Sequence, residues 1–301
     1  MLLAEVLSAL RPRPGGRYAD LTLGGAGHAE AILRASGPDG WLFGCDCDRD
    51  AVEAARARLG GFAGRCELRH GNFAHATDWV ARASCDGALM DLGISSIQLD
   101  DPARGLSFQS EGPLDARLDR EQTLTAADLV NGADEADLAR MLWELGGEPG
   151  ARRVARAIAA DRRHAPFRTT RQLAELVARV LPRGGRASHP ATRTFLALRR
   201  AVNDEAGVLE RGLRAVWQLL KPGGRLALIT FHSAEDRQVK EFGRALALAY
   251  SVAGPVDVPE LRIPRPPQLR WVNRKAIRPG AAELAANPRA RSAQLRVMER
   301  L

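Results

Sequence analysis

Lysine is nearly absent from this 301-residue chain: of its 44 basic residues only Lys221, Lys240 and Lys275 are lysines. Alanine is abundant as well, so a genomic coding bias would produce the same arginine excess. The net charge of +8 is therefore, by itself, a weak sign of an anionic partner. Cysteine is scarce too. Cys45, Cys47, Cys66 and Cys85 form no CxxC pair and have no histidine at zinc spacing, which argues against a metal site and for reduced, mostly buried thiols. No apolar run is long enough to span a bilayer. The opening "MLLAEVLSAL" lacks the basic residues and the small-residue cleavage site of a signal peptide. It reads as an amphipathic helix, and the expected location is the cytoplasm, away from any membrane. No internal repeat is visible, and the length suits one large domain or two ordinary ones.

The distribution of charge says more than its total. Residues 151–200 carry thirteen arginines against only Asp161 and Glu175. Guanidinium groups clustered in this way suit bidentate recognition of phosphates, which favours a nucleic-acid partner over a merely solvated helical surface. Candidate RNA contacts are Arg152, Arg153, Arg193 and Arg199 in this stretch, with Arg237, Arg289 and Arg291 further on.

The first hundred residues alternate between strand and helix patterns. Strands are expected at "RYADLTL", "GWLFGCD", "CELRHGN" and "DGALMDLG", with helices at "HAEAILRAS", "DRDAVEAARARL" and "HATDWVARA". Asp48 is placed to cap the second of these helices. After Asp91 a long mixed loop leads into a wholly helical stretch. The alternation resumes at "DEAGVLERGLRAVWQLL", which the glycines of "KPGG" end before the strand "RLALITF". A helix "SAEDRQVKEFGRALALA" follows, then two further strand candidates, "NRKAIRP" and "AQLRVMERL". The expected fold is α/β, a mostly parallel, doubly wound, Rossmann-like sheet formed by residues 1–103 and 204–301, with an inserted all-helical, RNA-facing domain at 104–203.

Four pieces fall at the carboxyl ends of the expected strands, where open α/β sheets bind ligands. The first is the glycine turn "LGGAGH", which lets a ligand approach the backbone and a helix start. A dinucleotide fingerprint needs glycines at i, i+2 and i+5; from Gly25 these positions are Gly27 and Glu30. An acid there disfavours a pyrophosphate and hence an NAD dehydrogenase, and no Walker lysine follows. The second piece is Asp46, 22 residues after Gly24, at the spacing of a ribose-binding carboxylate. The third is Phe73 in "GNF", where an aromatic stacks on an adenine or packs in the core. The fourth is "DLGISS" after the fourth strand. Together they describe a site for S-adenosylmethionine.

Methyl transfer from a sulfonium is an in-line displacement that needs contact and dryness and no metal. Asp91, with Ser95, Ser96 and Gln98 in the following loop, is placed to orient the lone pair of an exocyclic amine. A carbon-5 pyrimidine methylase would instead need a thiol nucleophile, and Cys85 precedes the fourth strand. In "FHSAEDR", Ser233 and Asp236 have capping-box spacing, while His232 either orients the acceptor, contacts RNA or is a satisfied polar group.

The stretches "GGAGH", "GCDCD", "DGALMDLGISSIQLDDPARGLSFQSEGPLDAR", "HPATRTFLALRRAVNDE", "LKPGGRLALITFHSAEDRQVKEF" and "NPRARSAQLR" resemble, in order and over residues 18–300, the RsmH (MraW) family. Its members are bacterial methyltransferases acting on the N4 amine of a decoding-centre cytidine in small-subunit ribosomal RNA. The resemblance implies a class I methyltransferase sheet interrupted by a helical domain. It also implies S-adenosylmethionine contacts at Ala26, Gly27, His28, Asp46, Phe73, Asp91 and Gln98, beside Gly25 of the same loop. Small-subunit rRNA or the 30S particle is the implied partner, and a homodimer stays an open alternative. So do another RNA acceptor and a non-catalytic assembly factor, the latter opposed by the intact Asp46, Asp91 and Gln98. This chain departs from the family at Ala26, usually glycine and tolerable with a negative φ, at Ile97 for proline, and in "LGGEPGARRVARAI". It also lacks the methionines of the family's LDMRM, the leucine of its SLED and the usual His-x-Pro-Val-Leu leader.

Overall fold

The computed structural model describes residues 1–181 and 189–301. They divide into two compact units, one of Met1–Gly93 with Val208–Leu301 and one of Ile94–Gly207. In chain order the elements are helix α1 (Leu3–Leu10), strand β1 (Arg17–Asp20), α2 (Gly27–Ala35), β2 (Trp41–Asp46), α3 (Arg49–Arg58), β3 (Cys66–His70) and β4 (Cys85–Asp91). The second unit holds α4 (Ser96–Asp100), α5 (Ala126–Gly132), α6 (Glu135–Glu144), α7 (Ala151–Asp161), α8 (Thr170–Val180) and α9 (Thr192–Val202). The chain returns through α10 (Glu205–Leu219), β5 (Leu220–Thr230) and α11 (Ser233–Ala247) to a hairpin of β6 (Tyr250–Val252) and β7 (Arg262–Pro264). It closes with β8 (Leu269–Trp271), α12 (Ala281–Ala286) and β9 (Gln294–Arg300).

The first unit is built on a seven-stranded sheet in the order β3-β2-β1-β4-β5-β9-β8. β1 to β5 pair in parallel, and β9 runs antiparallel to β5 and β8. Both faces are covered, so the central strands read as continuous apolar runs with a period of two. Leu89 packs with Ile32, Leu33 and Val52 from α2 and α3, whereas its neighbours Ala88 and Met90 pack with Leu213, Val216 and Val239 from α10 and α11. Each such fully buried large aliphatic side chain contributes about 2 kcal/mol. On α10, a Cβ at Gly212 would lie 2.2 Å from the Phe73 ring, so glycine is what lets that helix close on the chain after β3. Strand order reverses between β1 and β4, which opens a crevice at their carboxyl ends.

The second unit is helical. Leu138 and Leu142 of α6, Val154 and Ile158 of α7, and Leu173 and Val177 of α8 recur at helical spacing and form one core. Capping boxes start α5 (Thr125 with Asp128) and α8 (Thr169 with Gln172). The unit is wider than 104–203, because Ile94 and Leu99 pack against its core and Glu205 pairs with Arg199 at 2.6 Å. Among the described residues no helix is long and apolar enough to cross a membrane.

Several expected elements differ. "HATDWVARA" forms no α-helix: Asn72 caps a 3-10 stretch, Phe73–Asp78, in which His75 leaves helical geometry (φ −106°). Trp79 then turns inward, edge-on to Phe43 at 5.9 Å between ring centroids, and the chain reaches β4 without a further helix. "NRKAIRP" is a loop with one bridge, Ile277 to Leu295. The Asn273 side chain interrupts strand pairing there. It donates to the Lys275 carbonyl and accepts the Val297 amide, so β8 takes the edge of the sheet instead. The helix after β5 is capped one residue earlier than expected. The pair is His232 with Glu235, not Ser233 with Asp236, and Asp236 instead pairs with Arg296 and Lys240.

Candidate active site

The turn after β1 is held from two sides. Asp46, at the end of β2, accepts the Gly24 amide on Oδ2 and the Asp48 amide on Oδ1, each at 2.9 Å. The Cys47 side chain bonds to Asp46 as well; a carboxylate accepts about four hydrogen bonds, so capacity remains for one ligand hydroxyl. Asp48 caps α3 as expected, accepting the Asp50 amide at 3.1 Å. On the outer side Arg58 donates to the Gly25 carbonyl at 2.9 Å and to Glu30 at 2.6 Å, and Arg34 also pairs with Glu30. Two guanidinium groups hold the Glu30 carboxyl below its ordinary range. Glu30 is thus a brace for the turn, acting through Arg58, a residue that carries no motif of its own.

Ala26 is fully buried with φ +56°, in the left-handed region, so the expectation of a negative φ fails. The left-handed form costs a non-glycine residue about 1–2 kcal/mol, and here the cost is set against a packed methyl. No side chain caps α2 at this residue. In the first turn of α2 the Ala29 amide faces the Asp20 carboxyl, which ties the start of this helix to the end of β1.

Three carboxylates meet the crevice from β1, β2 and β4. Asp20, ending β1, is 1% exposed; its Oδ1 accepts the Thr22 amide at 3.4 Å and its Oδ2 has no partner. Burial is the main force raising its pKa to about 8, with the Asp91 and Asp46 charges adding to the rise. Asp91, ending β4, donates its amide to Thr22 Oγ1 at 2.6 Å, and its buried Oδ1 has no partner. Burial pushes its pKa up to about 6, against the pull of the N-terminal ammonium and of the Gly93 amide. Asp46 is shifted upward by burial as well. Two carboxylates with raised pKa values and an unpartnered buried oxygen favour positive charge beside them, beyond that of the N-terminal ammonium, which already acts on Asp91. The sulfonium and ammonium of S-adenosylmethionine supply such charge, so the residues present fit that cofactor. Asp20 escaped the sequence analysis; its signal was an acid closing the apolar run "RYAD".

The remaining expected residues fall as follows. Gly25 has open space where a Cβ would be, which leaves the loop backbone approachable. Gly27 is the first residue of α2. His28 lies 2.9 Å from the Met1 carbonyl, and burial lowers its pKa to about 4, so the ring is neutral at physiological pH. Phe73 is half-buried against the α10 side of the sheet. His232 caps α11: Nδ1 accepts the Glu235 amide at 3.2 Å and Nε2 lies 2.8 Å from Glu235 Oε1. In the second unit Ser95 and Gln98 form the capping box of α4, with Gln98 8% exposed. The side chain of Ser96 lies outside the described part of the structure. Cys85 begins β4, at the opposite end from Asp91, and burial raises its thiol to about 11. It is no nucleophile in this crevice.

Of the expected RNA contacts, Arg152, Arg153, Arg193, Arg237, Arg289 and Arg291 are exposed. Arg193 donates to the Gly147 carbonyl at 3.1 Å. Arg199 is instead engaged internally by Glu205, through two contacts of 2.6 and 3.0 Å, and serves the packing of its own unit.

The family model described as the MraW methylase family matches residues 1–301. Curated relatives named "Ribosomal RNA small subunit methyltransferase H" are similar along nearly their full length. The relative from Syntrophotalea carbinolica is 50% identical (99% of this chain, 96% of the relative). That from Symbiobacterium thermophilum is 48% identical (100% and 96%), and that from Citrifermentans bemidjiense 49% (99% and 96%). With the family model matching every residue and relatives close to half identical along nearly their whole length, this chain belongs to the MraW methylase family.

Proposed function

We propose that this protein transfers a methyl group from S-adenosylmethionine to the exocyclic N4 amine of a decoding-centre cytidine in small-subunit ribosomal RNA, presented as structured RNA or in the assembled 30S particle. The observation that carries the reading is Asp91: a carboxylate at the end of β4, beside the reversal of strand order, with one buried oxygen unpartnered.

The cofactor, when bound, supplies a methyl group made electrophilic by its sulfonium. The chain's own residues do the rest. Asp46 offers its remaining acceptor capacity to a ribose hydroxyl, the backbone of residues 25–27 receives the methionine end, and Asp20 faces positive charge. Asp91 accepts a hydrogen bond from the cytidine amine, which turns the nitrogen lone pair toward the methyl, and it can take the proton that the methylated amine loses. With a pKa of about 6 Asp91 is ionised at neutral pH yet basic enough to hold that proton. The arginines of the helical unit suit an RNA read by its shape and phosphates.

Mass spectrometry of small-subunit rRNA from cells lacking the protein tests this. Loss of N4-methylcytidine is expected; an unchanged level would show that the substrate is another one.

A further inference from the structure

The helical unit carries a feature that the methyl-transfer site does not use. α6 and α7 pack side by side, and against them lies a cavity of about 840 Å³. α6 lines it with Ala139, Arg140 and Trp143, and α7 with Arg152, Arg153 and Arg156. Trp143 is 60% exposed, and its indole makes no ring contact or hydrogen bond among the described residues. Leaving so large an apolar surface in water is unfavourable by ordinary packing logic, which makes the exposed ring a candidate contact for something else.

The turn that sets this geometry is the departure noted in "LGGEPGARRVARAI". α6 ends into Gly147 at φ +60°, and buried Glu148 accepts the Gly150 amide at 2.8 Å, which turns the chain into α7. Four arginines and one acid, Glu135, line the cavity with the indole, so its charge is net basic. Arg152 and Arg153 form no ion pair among the described residues. Arg140 pairs with Asp137 at 2.7 Å and Arg156 with Glu135 at 3.8 Å, but all four side chains are at least half exposed. Such surface pairs contribute little and yield to a stronger anion. A flat, exposed aromatic ring in a cavity that four arginines also line matches the two demands of single-stranded nucleic acid, a face for a base and cations for its phosphates. A duplex keeps its bases stacked on one another and offers no free face.

We propose that Trp143 is a stacking platform for an unpaired base of the RNA substrate, with Arg152 and Arg153 holding the flanking phosphates. This rests on RNA being the substrate, and it adds the requirement that the strand reaching α6 and α7 is single.

The test measures binding of the full chain to a single-stranded RNA of about ten nucleotides, and to the same strand in a duplex, by fluorescence anisotropy. Trp143→Ala is expected to weaken single-strand binding roughly 5- to 100-fold while leaving duplex binding unchanged, and Trp143→Phe to restore most of the loss. Arg152→Ala and Arg153→Ala should each lower the salt slope of single-strand binding by about 0.7. Single-strand affinity that survives Trp143→Ala, or an equal loss on single strand and duplex, overturns the platform. A Trp143→Ala protein that loses binding to a ribosomal protein and keeps binding to RNA overturns it too, and reassigns the surface to a protein partner. S-adenosylmethionine affinity and N4-methylcytidine formation are read in parallel on the wild-type protein. Their failure would remove the methyl-transfer function without touching the stacking result.

Discussion

Thr22 Oγ1 accepts the backbone N–H of Asp91 at 2.6 Å, while the amide of the same threonine points to Asp20 Oδ1 at 3.4 Å. One residue on the turn after β1 therefore spaces the two carboxylates that close β1 and β4. Thr22→Val keeps the shape of this residue and removes the acceptor. It leaves the Asp91 amide unpaired, which costs about 1–3 kcal/mol of stability. The midpoint of urea unfolding should fall accordingly, and methyl transfer should fall with it. A variant with unchanged stability and rate would show that Thr22 does not position Asp91.

Asp91 sets a pH dependence of the rate. Its pKa lies near 6, so the carboxylate that orients the amine is lost as pH falls through that value. Single-turnover transfer should decline about tenfold per unit below it and level off above. Asp91→Ala should abolish transfer while RNA binding survives. Full activity in this variant would take Asp91 out of the mechanism.

Asp20 makes the opposite kind of statement, about stability. Its folded pKa of about 8 stands above the ordinary value of about 3.9. A raised carboxyl pKa means that the folded state holds the proton more tightly than the unfolded chain does. Its favourable contribution is complete below about pH 4 and is lost as pH rises through about 8. Asp20→Asn, which removes the charge, should therefore raise the urea midpoint of the ligand-free protein relative to wild type at pH 8.5, with the difference closing toward pH 4. It should also weaken S-adenosylmethionine, whose positive charge Asp20 faces. A stability difference that grows toward acid pH would contradict the assignment.

Ala26 tests the turn itself. Ala26→Gly relieves the left-handed strain of about 1–2 kcal/mol but gives up a buried methyl worth about 0.8 kcal/mol, so its stability should stay within about 1 kcal/mol of wild type. Ala26→Val places a branched Cβ at φ +56° in a fully buried site and should destabilise by about 2 kcal/mol or more. Thermal unfolding of the two variants separates these outcomes. Equal melting temperatures would mean that the turn adapts.

Much of this was legible in the chain. The alternation of apolar runs and amphipathic stretches marks β1 to β5 and their helices because each buries a face of fixed period. The glycine turn, Asp46 and Asp91 were readable as strand-end residues for the same reason. The segments that failed were short and polar. In "HATDWVARA" the pull of Trp79 toward Phe43 outweighs local helix preference, and at His232 a side chain rarely thought of as a cap wins over the serine beside it.

Residue type and spacing along one dimension were enough for strands β1 to β5 with helices α2, α3, α10 and α11, for the family, and for the strand-end positions of Asp46 and Asp91. What burial does to the strand-end acids was settled only by packing in three dimensions. Asp20 and Asp91 acquire their raised pKa values and unpartnered oxygens because β1 and β4 lie side by side in the sheet, although the chain between them carries β2 and β3. The sign of φ at Ala26, the brace from Arg58 to Glu30 and the bare face of Trp143 were decided in the same way, by which surfaces packing covers and which it leaves open.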